Sequence, residues 1–147
     1  MRPSEHDTRF SEFLGAATTN VERSQVESVV HRFMATYARG DVVSRLSLFA
    51  EELSFEDPIG HQLASNKAEL KEFFESIAAT GVSLRFFPER LIVGGDEALQ
   101  SARLLIERGE SDATLLLLHL HFVLNGDGLI TQVGVFYDAD SSAKPAI

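Results

Sequence analysis

The first half of the chain carries apolar residues at helical spacing. Residues 21–39 are predicted to form a helix, because apolar side chains recur every three or four residues at Val26, Val30, Phe33 and Tyr37. Gly40 is expected to end this helix, and Asp41 to cap a short second helix over residues 42–50. A third helix is predicted between a cap at Asn66 and a stop at residues 80–81, with its apolar stripe at Leu70, Phe73, Phe74 and Ile77.

The second half of the chain has the shorter period of β-strands. Four such runs, at residues 82–93, 97–108, 113–124 and 129–137, are separated by turn-forming segments rich in Gly, Asn and Asp. A short alternating run at residues 53–57 comes earlier, and Pro58 ends it because proline donates no hydrogen bond to a neighbouring strand. Asp57 is therefore predicted to lie between a strand and a loop. Helices followed by long antiparallel strands predict an α+β domain whose curved antiparallel sheet wraps around the three helices.

Composition bounds the domain organisation and the partners. A chain of 147 residues with 44% apolar content suits one domain, predicted over residues 23–140, with an extension at 1–22 and a tail at 141–147. The net charge of -9 argues against binding to nucleic acid or to anionic membranes. Cysteine is absent, which excludes disulfides and thiolate chemistry. No stretch has the character of a signal peptide or a membrane span, so a soluble cytoplasmic protein is expected.

Four motifs in order along the chain point to a known family. They are ARGD at residues 38–41, EDPIG at 56–60, KEFF at 71–74 and HFVLNG at 121–126. With these motifs, residues 29–137 resemble the ketosteroid isomerase-like family of the nuclear transport factor 2-like superfamily, which includes SnoaL-like proteins. The EDPIG segment is the most specific match, because the family's catalytic aspartate lies in such a turn. The resemblance implies a cone-shaped, cystatin-like α+β roll with an apolar pocket.

The same resemblance implies proton abstraction next to a carbonyl group, with Asp57 as the general base and hydrogen-bond donors that stabilise the enolate. The family's donor positions fall on Phe33, Phe74 and Leu120, none of which can donate a hydrogen bond. Loss of one such donor typically costs about 10²- to 10³-fold in rate. Tyr37 lies one helical turn beyond Phe33, on the same stripe. Two interpretations of it are open: a donor that replaces the missing ones, or a core tyrosine whose hydroxyl lies at the rim of the core. Asp57 has an alternative interpretation too, since Asp before Pro is a good turn former.

The pocket is expected to be lined by aromatic and aliphatic side chains: Phe33, Phe55, Phe74, Leu105, Leu118, Leu120, Phe122, Val135 and Tyr137. Arg103 and Glu107 share a strand face with Leu105. If that face lines the pocket, these charges and Asp57 resemble the water-positioning set of the epoxide hydrolase branch. The opposite face is more apolar, so the strand pattern leaves both orientations open.

Histidines give a second candidate chemistry. His119 and His121 lie two residues apart on a predicted strand, a spacing that places both imidazoles on one face, as a metal pair requires. Alignment with the family at Asn125 and Gly126 implies that Leu118, Leu120 and Phe122 face the pocket. The two histidines are then expected on the outer face of the sheet, where the resemblance implies a homodimer contact. His61 follows the Asp57 turn and is either a gate to the pocket or a solvated loop residue. Neither a metal nor a cofactor is expected.

Three functions remain open from the sequence. The leading one is an enzyme of ketosteroid isomerase or polyketide cyclase type with Asp57 as base, assisted by Tyr37 or Tyr137, acting on an apolar small molecule. The second is a non-catalytic binding module that keeps the pocket but has lost the donors. The third is water addition to an epoxide, which depends on Arg103.

Overall fold

The structure is a computed structural model that describes Glu12 and residues 19–138. Residues 19–138 contain three helices and six strands. The helices are α1 (Arg23–Ala38), α2 (Val42–Leu46) and α3 (Lys67–Ala79). The strands are β1 (Phe49–Glu56), β2 (Gln62–Asn66), β3 (Ser83–Gly94), β4 (Glu97–Glu107), β5 (Ala113–Leu124) and β6 (Ile130–Tyr137). The predicted tail at 141–147 and most of the predicted extension at 1–22 lie outside the described residues.

The predicted caps account for the helix ends. The backbone N–H of Gly40, at a φ of 61°, donates to the Tyr37 carbonyl at 3.1 Å, which closes α1. The Asp41 carboxylate accepts from the Ser44 backbone N–H at 3.0 Å and caps α2. The prediction that α2 extends to residue 50 is wrong, because the chain is already extended at Phe49, which begins β1 and is buried in the core.

The sheet has the strand order β2-β1-β6-β5-β4-β3. All neighbours are antiparallel except β1 and β6, which run parallel, so the sheet is mixed. Strand β2 was not predicted, because it has five residues, lies at the edge and buries only Ala64. The α+β class and the three helices are as predicted.

The core fills only one end of the space between the helices and the sheet. Phe33 of α1 packs edge-on against Phe122 of β5, with ring centroids 5.2 Å apart, and against Phe49 of β1 at 6.1 Å. Ala98 of β4 is also buried at this end. Towards Ile106 and the beginning of β5 the helices no longer fill the inner face, and an opening remains there.

The segment before α1 is fixed to the β3–β4 turn. The Asp96 carboxylate accepts hydrogen bonds from the backbone N–H groups of Asn20 and Val21, at 2.8 and 3.1 Å, and from the Asn20 amide at 2.9 Å. Val21 is thereby buried at the filled end of the core. Among the described residues, none of the helices combines the length and the hydrophobicity needed to cross a bilayer.

Candidate active site

An apolar cavity of about 290 Å³ lies between the helices and the inner face of the sheet. Its apolar walls come from α1, α3, β1, the start of β3 and strands β4–β6: Phe33, Phe55, Phe73, Phe74, Ile77, Val82, Leu84, Phe86, Leu104, Ile106, Leu116, Leu118, Leu120 and Val135. Four polar side chains complete the lining, those of Tyr37, Arg45, Asp57 and Tyr137. Such a cavity, with a few convergent polar groups in apolar walls, suits a small apolar ligand with one or two polar atoms.

The backbone of the turn after β1 positions Asp57. Its N–H donates to the carbonyl of His61 at 3.0 Å, and the N–H of His61 donates to the carbonyl of Pro58 at 2.9 Å. The N–H of Ile59 donates to the Val135 carbonyl at 2.8 Å, which ties the turn to strand β6. The peptide bond between Asp57 and Pro58 is cis. The turn is therefore attached to the sheet, and it places Asp57 in the wall of the cavity.

The Asp57 carboxylate faces the cavity without a hydrogen bond from any of the described residues. The side chain is half-buried, and burial raises the pKa of its carboxyl, while the nearby His61 lowers that pKa by less. The local hydrogen bonds that a turn-forming aspartate makes with neighbouring amides are not formed by this side chain. A carboxylate with free lone pairs and a raised pKa is able to accept a proton from a ligand.

Tyr37 faces the same cavity from the last turn of α1. Its ring packs edge-on against Phe33 and Phe86, with centroids 5.2 and 5.0 Å away. Burial raises the pKa of the Tyr37 phenol, with a smaller opposite effect from Arg45 and a further increase from Asp57. The phenol is neutral near pH 7 even at its ordinary pKa and stays so here, and it is able to donate a hydrogen bond into the cavity.

Arg45 is a polar residue of the cavity that the sequence did not reveal. Arg45 is only 4% exposed. Its guanidinium carbon lies 3.5 Å from the ring centroid of Tyr37 and 4.6 Å from that of Phe74. Helix α2 has five residues, too few for an apolar period that would show which face is buried. The available signal was Thr36, a polar residue on the buried face of α1, whose hydroxyl accepts from Arg45 Nε at 3.0 Å.

Most of the predicted pocket residues do line this cavity: Phe33, Phe55, Phe74, Leu118, Leu120, Val135 and Tyr137. Phe122 is a correction, since it faces inward but is fully buried against Phe33 at the filled end of the core. Leu105 is a second correction, because strand alternation places it on the outer face beside Arg103. Tyr137 lies at the rim, 38% exposed.

Arg103 also points to the outer face. Its Nε lies 3.2 Å from a carboxylate oxygen of Glu89, in an exposed ion pair. Leu104 and Ile106, the inward residues of the same strand, line the cavity instead. The charged set of Arg103, Glu107 and Asp57 on which the epoxide interpretation depended is therefore not formed.

The histidines lie outside the cavity. His119 is exposed on the outer face of β5, and Nε2 of His121 lies 2.8 Å from a carboxylate oxygen of Glu97. His61 is exposed, with Nδ1 3.2 Å from the Asp57 carbonyl oxygen. Within Glu12 and residues 19–138, no three metal-ligating side chains converge on a common point.

Sequence comparison assigns the chain to a family. Residues 30–133 match the model of the SnoaL-like domain. The chain belongs to the SnoaL-like family. The match spans the EDPIG turn, the cavity helices and most of the sheet, and it confirms the predicted resemblance.

Relatives of this SnoaL-like domain include enzymes. A steroid Delta-isomerase of Nocardioides simplex is 26% identical over 124 residues, which are 84% of this chain and 98% of the relative. The epoxide hydrolase/cyclase-like enzyme SalBIII, which is linked to pyran ring formation in the polyether salinomycin, superposes with a TM-score of 0.74 at 19% identity, covering 84% of this chain and 98% of its own. The Mycobacterium tuberculosis protein RV0760c in complex with estradiol-17beta-hemisuccinate superposes with a TM-score of 0.72 at 19% identity, covering 81% and 98%.

Proposed function

We propose that this SnoaL-like domain is an enzyme that removes a proton from a carbon next to a carbonyl group, with Asp57 as the general base. The main support is a half-buried carboxylate without a hydrogen bond from the described residues, in the wall of an apolar cavity. Burial raises the pKa of Asp57, which strengthens it as a base once it is deprotonated. A bound ligand would bring its acidic carbon to this carboxylate and exclude water from it.

The oxyanion that forms on proton removal needs a donor, and Tyr37 is the proposed one. The usual donor positions of the family carry Phe33, Phe74 and Leu120, which line the cavity without a donor group. The Tyr37 phenol lines the same cavity, and it is neutral near pH 7 at its ordinary pKa and at the pKa that burial raises. A neutral phenol in an apolar site stabilises a developing negative charge more than it does in water.

The proposed substrates are apolar ring compounds that carry a carbonyl group, such as steroid-like enones or polyketide fragments. One similar protein is a steroid Delta-isomerase, SalBIII is linked to pyran ring formation in a polyether, and RV0760c forms a complex with an estradiol derivative. Phenylalanine and leucine side chains dominate the cavity walls and favour a flat apolar ligand.

Catalysed exchange of the acidic proton in deuterated water tests the proposal without knowledge of the product. Ligands from a thermal-shift screen of enones and polyketide fragments would be followed by NMR with wild type, Asp57→Asn and the control Asp127→Asn, which alters an exposed loop carboxylate. We expect Asp57→Asn to abolish exchange while ligand binding persists, and Asp127→Asn to exchange as wild type does. Normal exchange by Asp57→Asn excludes this residue as the base.

A non-catalytic binding module is the second candidate, and the apolar residues at all three usual donor positions favour it. This alternative predicts ligands that stabilise the protein and bind equally well to wild type and Asp57→Asn. It also predicts no catalysed exchange of any ligand proton by wild type. The same experiment therefore separates the two functions.

We also propose that the chain forms a homodimer through the outer face of the sheet. Several large apolar side chains are exposed there, among them Ile92, Leu99, Leu117 and Phe136. His119 and His121 lie among them on β5. Location in the cytoplasm stays a prediction from the sequence.

A further inference from the structure

Arg45 is a largely buried cation that forms no direct ion pair in the described part of the chain. Arg45 is 4% exposed, and no carboxylate oxygen of Glu12 or residues 19–138 lies within 4.0 Å of its guanidinium. The nearby Asp41 uses its carboxylate to cap α2 through the Ser44 N–H. Burial lowers the pKa of Arg45, and the negative charge of Asp41 raises that pKa from a distance by less. A buried charge is costly unless an opposite charge and hydrogen bonds compensate for it, and arginine stays protonated in proteins.

The guanidinium is held rigidly by groups that leave its outer nitrogens free. Its Nε donates to the Thr36 hydroxyl at 3.0 Å, and that hydroxyl donates onward to the Phe33 carbonyl at 2.6 Å. The rings of Tyr37 and Phe74 lie against its faces, at 3.5 and 4.6 Å. None of the described residues accepts a hydrogen bond from the terminal Nη atoms of Arg45. The planar donor pair is therefore fixed in orientation before any ligand arrives.

The free donors are accessible to a ligand. Arg45 lines the main cavity together with Asp57, and it also lines an adjoining depression of about 280 Å³ near the end of α1. Tyr37 and Phe74 border both spaces. A ligand whose ring system occupies the main cavity is able to place a polar substituent at Arg45.

We propose that Arg45 is the anion-binding residue of this site and that the ligand is a flat apolar ring compound with a carboxylate group. The two Nη donors match the two oxygens of a carboxylate, which pairs with arginine through parallel hydrogen bonds. The carboxylate supplies the direct ion-pair partner that no described residue provides, while the ring system lies against the phenylalanine walls. This assignment deepens the proposed function, and rests on it only for the statement that the ligand is a substrate.

Binding of a matched pair of small ligands tests the assignment. 2-Naphthoate and 2-naphthamide have the same ring system and nearly the same shape, but only the first is charged at pH 7.5. By titration calorimetry, wild type is expected to bind 2-naphthoate about tenfold or more tightly than the amide, as a charge-assisted hydrogen-bonded pair implies. Arg45→Met is expected to remove this preference and to leave amide binding within about threefold.

Variants control for folding and for general charge. Arg32→Met removes an exposed arginine of α1 that is not part of the cavity, and should keep the wild-type preference. Thermal unfolding shows whether Arg45→Met is folded, and Arg45→Lys, which keeps a charge but loses the planar donor pair, serves as a milder replacement. Equal affinity of wild type for the two ligands, or a preference that persists in folded Arg45→Met, overturns the assignment.

The outcome is separable from that of the proposed function. Asp57→Asn is expected to lose proton exchange and yet keep its preference for 2-naphthoate, since Arg45 is intact. If wild type catalyses exchange and Asp57→Asn does not, but wild type binds 2-naphthoate and 2-naphthamide equally well, only the role of Arg45 is refuted. A carboxylate preference without exchange in wild type refutes the catalytic proposal alone.

Discussion

The guanidinium of Arg45 lies over the ring of Tyr37, 3.5 Å from its centroid. Tyr37 and Asp57 border the same cavity, and the negative charge of Asp57 raises the pKa of the Tyr37 phenol while the cation lowers it. Burial has the largest effect on this pKa and raises it. The base and the donor proposed above and the cation of Arg45 thus lie together in the lining of one largely apolar space.

Removal of the Tyr37 hydroxyl tests the donor role. Tyr37→Phe is expected to lower kcat for proton exchange by about 10²- to 10³-fold, the usual cost of one oxyanion donor, with a small change in KM. The ring contacts with Phe33 and Phe86 remain, so thermal stability should change little. Tyr137→Phe at the exposed rim is the matched control, and a rate loss as large as that of Tyr37→Phe would show that the loss is not specific to Tyr37.

The pH profile of the reaction reports the state of Asp57. A general base must be deprotonated, so kcat/KM should rise with pH and level off above the pKa of Asp57 in the free enzyme. Because burial raises this pKa, the inflection is expected above the ordinary value of 3.8. His61→Gln removes the group that lowers this pKa and should move the inflection to higher pH. An inflection that stays at the ordinary value would contradict the burial effect.

Stability should respond to the same carboxylate with a definite sign. The folded state holds the Asp57 proton more tightly than the unfolded state, so the free energy of unfolding falls as pH rises from 3.8 through the folded pKa. Asp57→Asn removes this charge and should raise the melting temperature at pH 7. The difference between variant and wild type should shrink below pH 3.8, where both states are protonated. An Asp57→Asn protein that melts below wild type at pH 7 would mean that the charge is stabilised by groups other than those described.

Local sequence patterns were sufficient for the elements with strong periodicity and clear ends. The stop at Gly40 and the caps at Asp41 and Asn66 follow from the chemistry of one or two residues, and all three are observed. Strand β2 was missed because it is a five-residue edge strand that buries only Ala64. The true end of α2 was missed because Phe49 pairs with Ile130 of the distant strand β6, which local propensity does not show.

The site was predictable only where a motif defined it. The EDPIG turn identified Asp57, and the helical stripe placed Tyr37 on the cavity side. Arg45 was not found, because an arginine on a five-residue helix reads as a surface residue unless the tertiary contacts with Tyr37 and Phe74 are known. Leu105 was misplaced because both faces of β4 carry apolar side chains at that point.

The β5–β6 loop offers a matched pair of glycines. Gly128 has a φ of 79°, and a Cβ added there would meet the side chain of Gln25. Gly128→Ala is expected to lower the free energy of unfolding by about 1–2 kcal/mol, the cost of a left-handed backbone for a residue with a Cβ. Gly126→Ala in the same loop has no atom within 4 Å of the added Cβ and should be close to wild type. Urea denaturation measures both, and a Gly128→Ala protein as stable as wild type would show that position 128 tolerates a Cβ without strain.

The outer face of the sheet is the place to test the proposed homodimer. Leu99 of β4 lies between Ile92 of β3 and His121 of β5, in the middle of the exposed apolar side chains. A charge buried at the centre of an interface is expected to cost at least about 2 kcal/mol, so Leu99→Glu should shift sedimentation from dimer towards monomer. Val43→Glu adds the same charge at an 81% exposed position on α2 and should leave the assembly unchanged. A wild-type protein that sediments as a monomer at all concentrations, or a Leu99→Glu dimer as stable as wild type, would show that this face does not join two copies.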